Sequence, residues 1–278
     1  MRRSLARRAR DGLGLLVGSV LLVVGSVFPI YWLAILSVKN ETEDVYGNPL
    51  WVFEPTFQHY LEILEDTPFV RWTANSLFVI LVVTALTIVT SMVAGYSMAR
   101  LRPPGTRWIA RLLFASYLLP QTVDFLPLFQ VIYRLGLDGS PLSLVMTYPS
   151  LTVPFCTWLF YSYFRVLPRE VEESGLVEGG SPVAVFLRLV MPMSQPVTVA
   201  AAIFAVGAIT SDFLYASTFL PDRESMTVAA GIGIQALELE DLGVAAGVNM
   251  FATPLALMCL LFARSYVRGL TAAMLEGA

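Results

Sequence analysis

Apolar residues fall into six long runs, at 13–36, 75–99, 109–133, 142–163, 196–220 and 244–267, each bounded by polar stretches. An apolar helix needs about 20 residues to cross a bilayer, and each run reaches that length. The third run contains Pro120 and Pro127, so a break is expected at both. The first run follows the basic stretch "MRRSLARRAR". It is too long for the apolar part of a signal peptide and lacks a small-residue cleavage site, so 13–36 is expected to be a retained anchor helix.

Composition supports the bilayer reading. Of 278 residues, 56% are hydrophobic and 14% charged, and the mean hydropathy is +0.68. A soluble domain carries nearer a quarter of its residues as charges. The net charge of -3 argues against a large nucleic-acid surface. Cys156 and Cys259 lie inside apolar runs without CxxC spacing, which suits small buried residues rather than a disulfide or metal site.

The arginines set an orientation. Arg2, Arg3, Arg7, Arg8, Arg10, Arg100, Arg102, Arg107, Arg111, Arg165, Arg169, Arg188, Arg264 and Arg268 fall on one side if the spans alternate. Lys39, Arg71, Arg134, Arg223 and most acids fall on the other. The positive-inside rule then places both termini in the cytoplasm. The expected fold is an all-α integral membrane protein of about six transmembrane helices, one membrane domain over 1–278 without internal repeats.

One segment departs from the apolar pattern: "PREVEESGLVEGGSPVAVFLRLVMPMSQP", residues 168–196. Pro168 suits a first helical turn, and Glu170, Glu172 and Glu173 complement the positive end of a helix. Ser174 and Gly175 are small enough for another backbone to approach. Glu178, Gly179 and Gly180 end the helix, since glycine permits positive φ. Ser181 before Pro182 is a restart signal, an N-cap followed by proline at the first helical position. Phe186, Leu189 and Val190 give the second helix an apolar face. The segment predicts a helix, a tight turn and a second helix, a form suited to docking a cytoplasmic partner.

These residues resemble the EAA motif of ABC importer permeases: E-A-A, three residues, G, nine residues, then I-x-L-P. Glu173, Ser174 and Gly175 stand at E-A-A, Gly179 at the glycine, and Leu189, Met191 and Pro192 at I, L and P. Both alanines are replaced by other small residues, while the spacing is intact. "NSLFVILVVTALTIVTSMVAGYSMARLRPPGTR", "LLPQTVDFLPLFQVIYRLGL" and the end "RGLTAAMLEGA" are similar to the carbohydrate branch, the second (maltose-permease G-type) membrane subunit.

The resemblance implies a type I ABC importer permease fold in a bacterial inner membrane. It implies a permease core over 72–268, a cytoplasmic coupling loop over 165–192 with its helix at 168–180, and a C-terminal tail over 268–278. The implied partners are a second permease subunit of a different sequence, two ATPase subunits, an extracytoplasmic solute-binding protein and membrane lipid. Glu172, Glu173, Ser174, Gly175, Glu178, Gly179 and Pro192 become the expected ATPase-coupling residues. ATP and Mg would be bound by the partner ATPase. Consistent with that, a Walker A loop needs G-x-x-x-x-G-K-[ST], and the only lysine, Lys39, stands in "SVKNET". No cofactor, metal or catalytic residue is expected in this chain.

The rival class is a secondary transporter that uses the intramembrane acids Asp124 and Asp212. Asp124 lies between Pro120 and Pro127, where a broken helix can line a cavity. It could bond a passing sugar or polyol, pair with a partner or cap broken backbone, or relay protons. Tyr117, Gln121 and Asp212 are further pathway candidates. The carbohydrate branch commonly reads W-N-E/D-F where this chain has Thr210, Ser211, Asp212 and Phe213. His59, the only histidine, is expected to be solvated in an external loop. There "FQHYLEIL" predicts a short amphipathic helix with Phe57, Tyr60, Leu61 and Leu64 on one face.

Overall fold

A computed structural model describes the backbone of residues 2–236 and 241–276, and their side chains apart from 2–14, 43–45, 235, 241 and 263–276. The regular elements among the described residues are all helices, with no strand. Among the described residues four helices are long and apolar enough to cross a membrane, or up to six if each of two bent helix pairs forms one span. The chain divides into two compact units, Met1–Thr67 with Gln235–Thr253, and Pro68–Ile234 with Pro254–Ala278.

The first unit begins with α1, Arg2–Leu36. Its apolar stretch is almost wholly uncovered, with Leu15, Leu21, Leu22 and Val24 exposed, as suits a helix surrounded by lipid. Two short helices follow, α2 (Glu41–Tyr46) and α3 (Gln58–Asp66). The covered face of α3 is His59 and Ile63, while Phe57, Leu61 and Leu64 are exposed. The amphipathic helix is therefore present, but its covered face is not the predicted one. His59 is buried rather than solvated: Nε2 lies 3.0 Å from the Lys39 carbonyl and Nδ1 3.3 Å from Glu62. Both partners are acceptors, so the neutral ring donates its one N–H to one of them.

The second unit is organised by two long helices, α4 (Phe69–Arg100) and α7 (Leu142–Val166). Small and hydroxylated residues let them approach closely, the usual solution where lipid removes the hydrophobic drive between helices. Thr87 and Thr152 share a hydroxyl hydrogen bond of 2.6 Å. A Cβ built at Gly95 would sit 2.7 Å from Phe160 Cβ and 2.8 Å from the Tyr161 nitrogen, so only glycine permits this contact. Met92, Phe160, Phe164, Val197 and Ala201 fill the core around it.

Two predicted spans are broken. The third becomes α5 (Thr106–Tyr117) and α6 (Gln121–Leu135), bent by 93°. The break falls at Pro120 alone, and Pro127 is accommodated inside α6. The fifth is α11 (Gln195–Ser211), which ends at Asp212 instead of running to 220. A separate helix, α12 (Leu214–Phe219), follows because the Asp212 side chain accepts the Tyr215 and Ala216 amides at 3.1 and 3.2 Å. An aspartate that caps a new helix start favours a break over continuation. The last helices are α13 (Val228–Gln235) and α14 (Asp241–Glu276).

Between α7 and α11 lies the polar segment. It folds as α8 (Glu170–Val177), a turn, α9 (Pro182–Val185), a π-helical turn at Phe186–Val190, and α10 (Met191–Met193). Gly179 adopts φ 89°, a conformation open to glycine at little cost. Ser181 caps α9 by accepting the Ala184 amide at 3.2 Å. The wider π turn lies directly before Pro192, whose ring cannot sit against the carbonyl four residues back in a regular helix.

Candidate functional site: a cavity at two helix breaks and an anchored helical loop

The two breaks meet around an open cavity of about 410 Å³. Tyr117 and Gln121 flank the first break and Asp124 sits in the first turn of α6, where the positive helix end favours a carboxylate. All three line the cavity, so the structure brings three of the four pathway candidates together. Broken helices that line a cavity are tolerated at membrane depth because the freed backbone faces polar surroundings.

The fourth candidate, Asp212, is turned inward. It is 4% exposed, caps α12 and accepts the Tyr148 hydroxyl at 2.9 Å. Tyr215 continues the network by donating to the Gln121 carbonyl at 3.1 Å. Asp212 thus holds one break in register with the other while its side chain stays out of the lining.

Ser116, Ser150 and Phe204, which carry no sequence motif, also line the cavity, as does Ser211, one of the residues that depart from W-N-E/D-F. Each serine donates its hydroxyl to a backbone carbonyl three residues earlier, at 2.9, 2.7 and 3.2 Å. Their oxygens keep lone pairs for a visitor. With Asp124 the wall is rich in acceptors, and its lining contains no lysine or arginine. Serines inside otherwise apolar runs were the available signal.

The polar segment is anchored on one face and open on the other. Glu172 is fully engaged: Arg100 Nε and Nη2 both lie 2.6 Å from Oε1, and Tyr96 donates to Oε2 at 2.8 Å. The Tyr96 ring also packs on Phe186 at 4.6 Å between centroids, so one residue of α4 holds both arms of the loop. Tyr163 adds a hydrogen bond of 2.6 Å to the Met193 carbonyl. Gly175 is buried, and a Cβ there would meet Leu189 Cδ1 at 2.7 Å. Its smallness serves packing within the loop.

The open face carries Glu173, Ser174, Leu176, Val177, Glu178 and Gly179. Val177 is 88% exposed, the largest apolar exposure on this face. Pro192 is exposed on the far side of the π turn.

A multi-pass helical protein with a polar cavity between broken spans and an anchored helical loop is the architecture of a membrane permease. The chain belongs to the family described as "Binding-protein-dependent transport system inner membrane component", which matches residues 91–268. It is 29% identical over 268 residues to the trehalose/maltose transport system permease protein MalG of Thermococcus litoralis, covering 95% of this chain and 96% of the relative. It is 30% identical over 264 residues to the sulfoquinovosyl glycerol transport system permease protein SmoH of Agrobacterium fabrum, covering 94% and 93%. The fold is shared with a chain of a bacterial ABC transporter involved in the import of the acidic polysaccharide alginate: TM-score 0.76, 16% identity, 91% of this chain and 96% of that one. The protein is therefore an inner-membrane, multi-pass component of a transport system that works with a binding protein. These findings fit the importer reading and not the secondary-transporter alternative.

Proposed function

We propose that this chain forms half of the pore of an ATP-driven importer for a neutral sugar, oligosaccharide or polyol. A second permease subunit supplies the other half. Two ATPase subunits, which bind ATP and Mg, engage the open face of α8 and the turn after it through Glu173, Ser174, Glu178 and Gly179; the helix occupies 170–177 of the expected 168–180. Glu172, Gly175 and Pro192 set the position of that face. An extracytoplasmic binding protein delivers the cargo, and both termini of this chain lie in the cytoplasm.

The observation that carries this reading is the loop's two-sidedness. One face is bound to α4 through Glu172, Arg100 and Tyr96, so a push on α8 is delivered to a membrane-spanning helix. The other face offers charge and exposed apolar side chains to a partner.

The cavity supports the cargo class. Sugar hydroxyls donate, and the wall accepts through Asp124 and three serines. A carboxylate without a basic neighbour in the lining repels an anionic cargo, so the neutral members of the carbohydrate class fit best.

The test is co-purification and uptake with wild type, Glu173→Arg and Gly179→Pro. Wild type should bring down an ATPase subunit and support ATP-dependent uptake, and both variants should lose one or the other. Ion-gradient uptake without any ATPase would overturn the proposal.

A further inference from the structure

A second cavity lies away from the pathway, where α4 ends, α5 begins and α7 ends. Its volume is about 470 Å³, within the range of small-molecule sites, roughly 300–1,000 Å³. Arg102, Arg107 and Arg165 line it together with Thr106, Trp108 and Tyr161. Its lining contains no carboxylate. Among the described residues none of the three arginines forms an ion pair. Three guanidinium groups gathered around one cleft repel each other unless an anion joins them.

Two of the three groups, Arg102 and Arg165, have a partner within the chain. Arg102 has φ 48°, the only non-glycine residue with positive φ among those described, and its Nε donates to the Ala99 carbonyl at 3.4 Å. This left-handed residue, one position beyond the C-cap Leu101, ends α4. The Arg165 guanidinium lies 5.7 Å over the Tyr161 ring. The first turn of α5 carries no acid, so its positive end adds to the field.

The surroundings identify the anion's source. The cleft sits where the apolar helices α4 and α7 end, on the side to which the arginine count assigns the cytoplasm. Trp108 is 67% exposed beside it, stacked under Arg111 at 5.2 Å, and Leu101 and Leu112 are exposed on the adjoining surface. Aromatic and basic residues at this level meet lipid headgroups. We propose that this cleft binds the phosphate of an anionic phospholipid. Arg102, Arg107 and Arg165 grip the phosphate, and Trp108 lies along the glycerol and first methylenes.

The test uses the full chain purified in detergent with the subunits that travel with it. Phosphatidylglycerol and phosphatidylcholine of identical acyl chains are titrated and bound lipid is counted by native mass spectrometry. The expected result is one phosphatidylglycerol retained per chain in preference to phosphatidylcholine. The triple substitution Arg102→Gln, Arg107→Gln, Arg165→Gln should weaken that retention by at least about tenfold. Arg134→Gln, which removes a charge outside the cleft, should leave it unchanged. Should the triple variant elute as aggregate, Arg107→Gln and Arg165→Gln serve singly, each expected to weaken retention roughly fivefold. Equal retention of the two lipids, or unchanged retention in the variants, overturns the site. Displacement of the lipid by inorganic phosphate or glycerol 3-phosphate alone assigns the cleft to a soluble anion and overturns the lipid.

Discussion

Arg100 and Glu172 form an almost dry ion pair, 2.6 Å apart with side chains 9% and 12% exposed, and join the last turn of α4 to the first turn of α8. Removing one partner of such a pair leaves an uncompensated buried charge, which destabilises by roughly 3–5 kcal/mol. Glu172→Ala and Arg100→Ala should each lower the melting temperature of the purified transporter markedly. The double variant should lose less than the sum, since neither charge is then stranded. Additive losses in a thermal melt would show that the two residues do not act on each other.

The same pair predicts a split between Glu172 and Glu173. They are sequence neighbours, yet one is engaged by α4 and the other exposed. Glu173→Gln should leave the melting temperature of the isolated chain unchanged and reduce ATPase co-purification. Glu172→Gln should lower stability first. Matching the two variants in one melt and one pull-down checks this. Equal melting shifts would contradict the assigned faces.

Much of the architecture was legible in the sequence, and the misses share a cause. Apolar run length located the spans because the bilayer imposes it. Gly179, Ser181 and Pro182 foretold the turn because each has one main conformational use. The break at Asp212 was hidden because a capping aspartate and a pathway aspartate look alike until the amides it accepts are known. Tyr96 gives no sequence signal because its partners, Glu172 and Phe186, lie 76 and 90 positions further along the chain. Likewise, Gly175 read as a surface for a partner because Leu189, which fills the space beside it, is distant in sequence.

Gly175 and Gly179 should therefore fail differently. Nothing lies within 4 Å of a Cβ at Gly179, so Gly179→Ala meets only the left-handed backbone, about 1–2 kcal/mol. Gly175→Leu drives a branched side chain into Leu189 and Val185. Gly179→Ala should yield folded protein with partial uptake. Gly175→Leu should displace α8 and abolish ATPase co-purification, with Leu189→Ala in the same chain restoring part of it. Rescue failure would place the Gly175 requirement outside the loop.

Asp124 and Asp212 allow the sharpest separation of pathway from scaffold. Asp124 lines the cavity, whereas Asp212 holds two amides and the Tyr148 hydroxyl. Asp212→Ala removes a helix cap and strands that hydroxyl, so the protein should melt at lower temperature by an amount corresponding to about 1–3 kcal/mol. Tyr148→Phe should recover part of that loss when added to Asp212→Ala, since no buried hydroxyl is then left without an acceptor. Asp124→Asn should shift the melt only slightly, by the helix-end interaction of about 0.3–1 kcal/mol, because its carboxylate makes no ion pair among the described residues. Its effect should fall on uptake instead. Loss of the negative charge should weaken transport of the neutral cargo and relieve exclusion of an anionic analogue of similar size. Paired uptake assays with a neutral sugar and its sulfonated or carboxylated counterpart measure both arms. Unchanged discrimination in Asp124→Asn would remove this carboxylate from cargo selection.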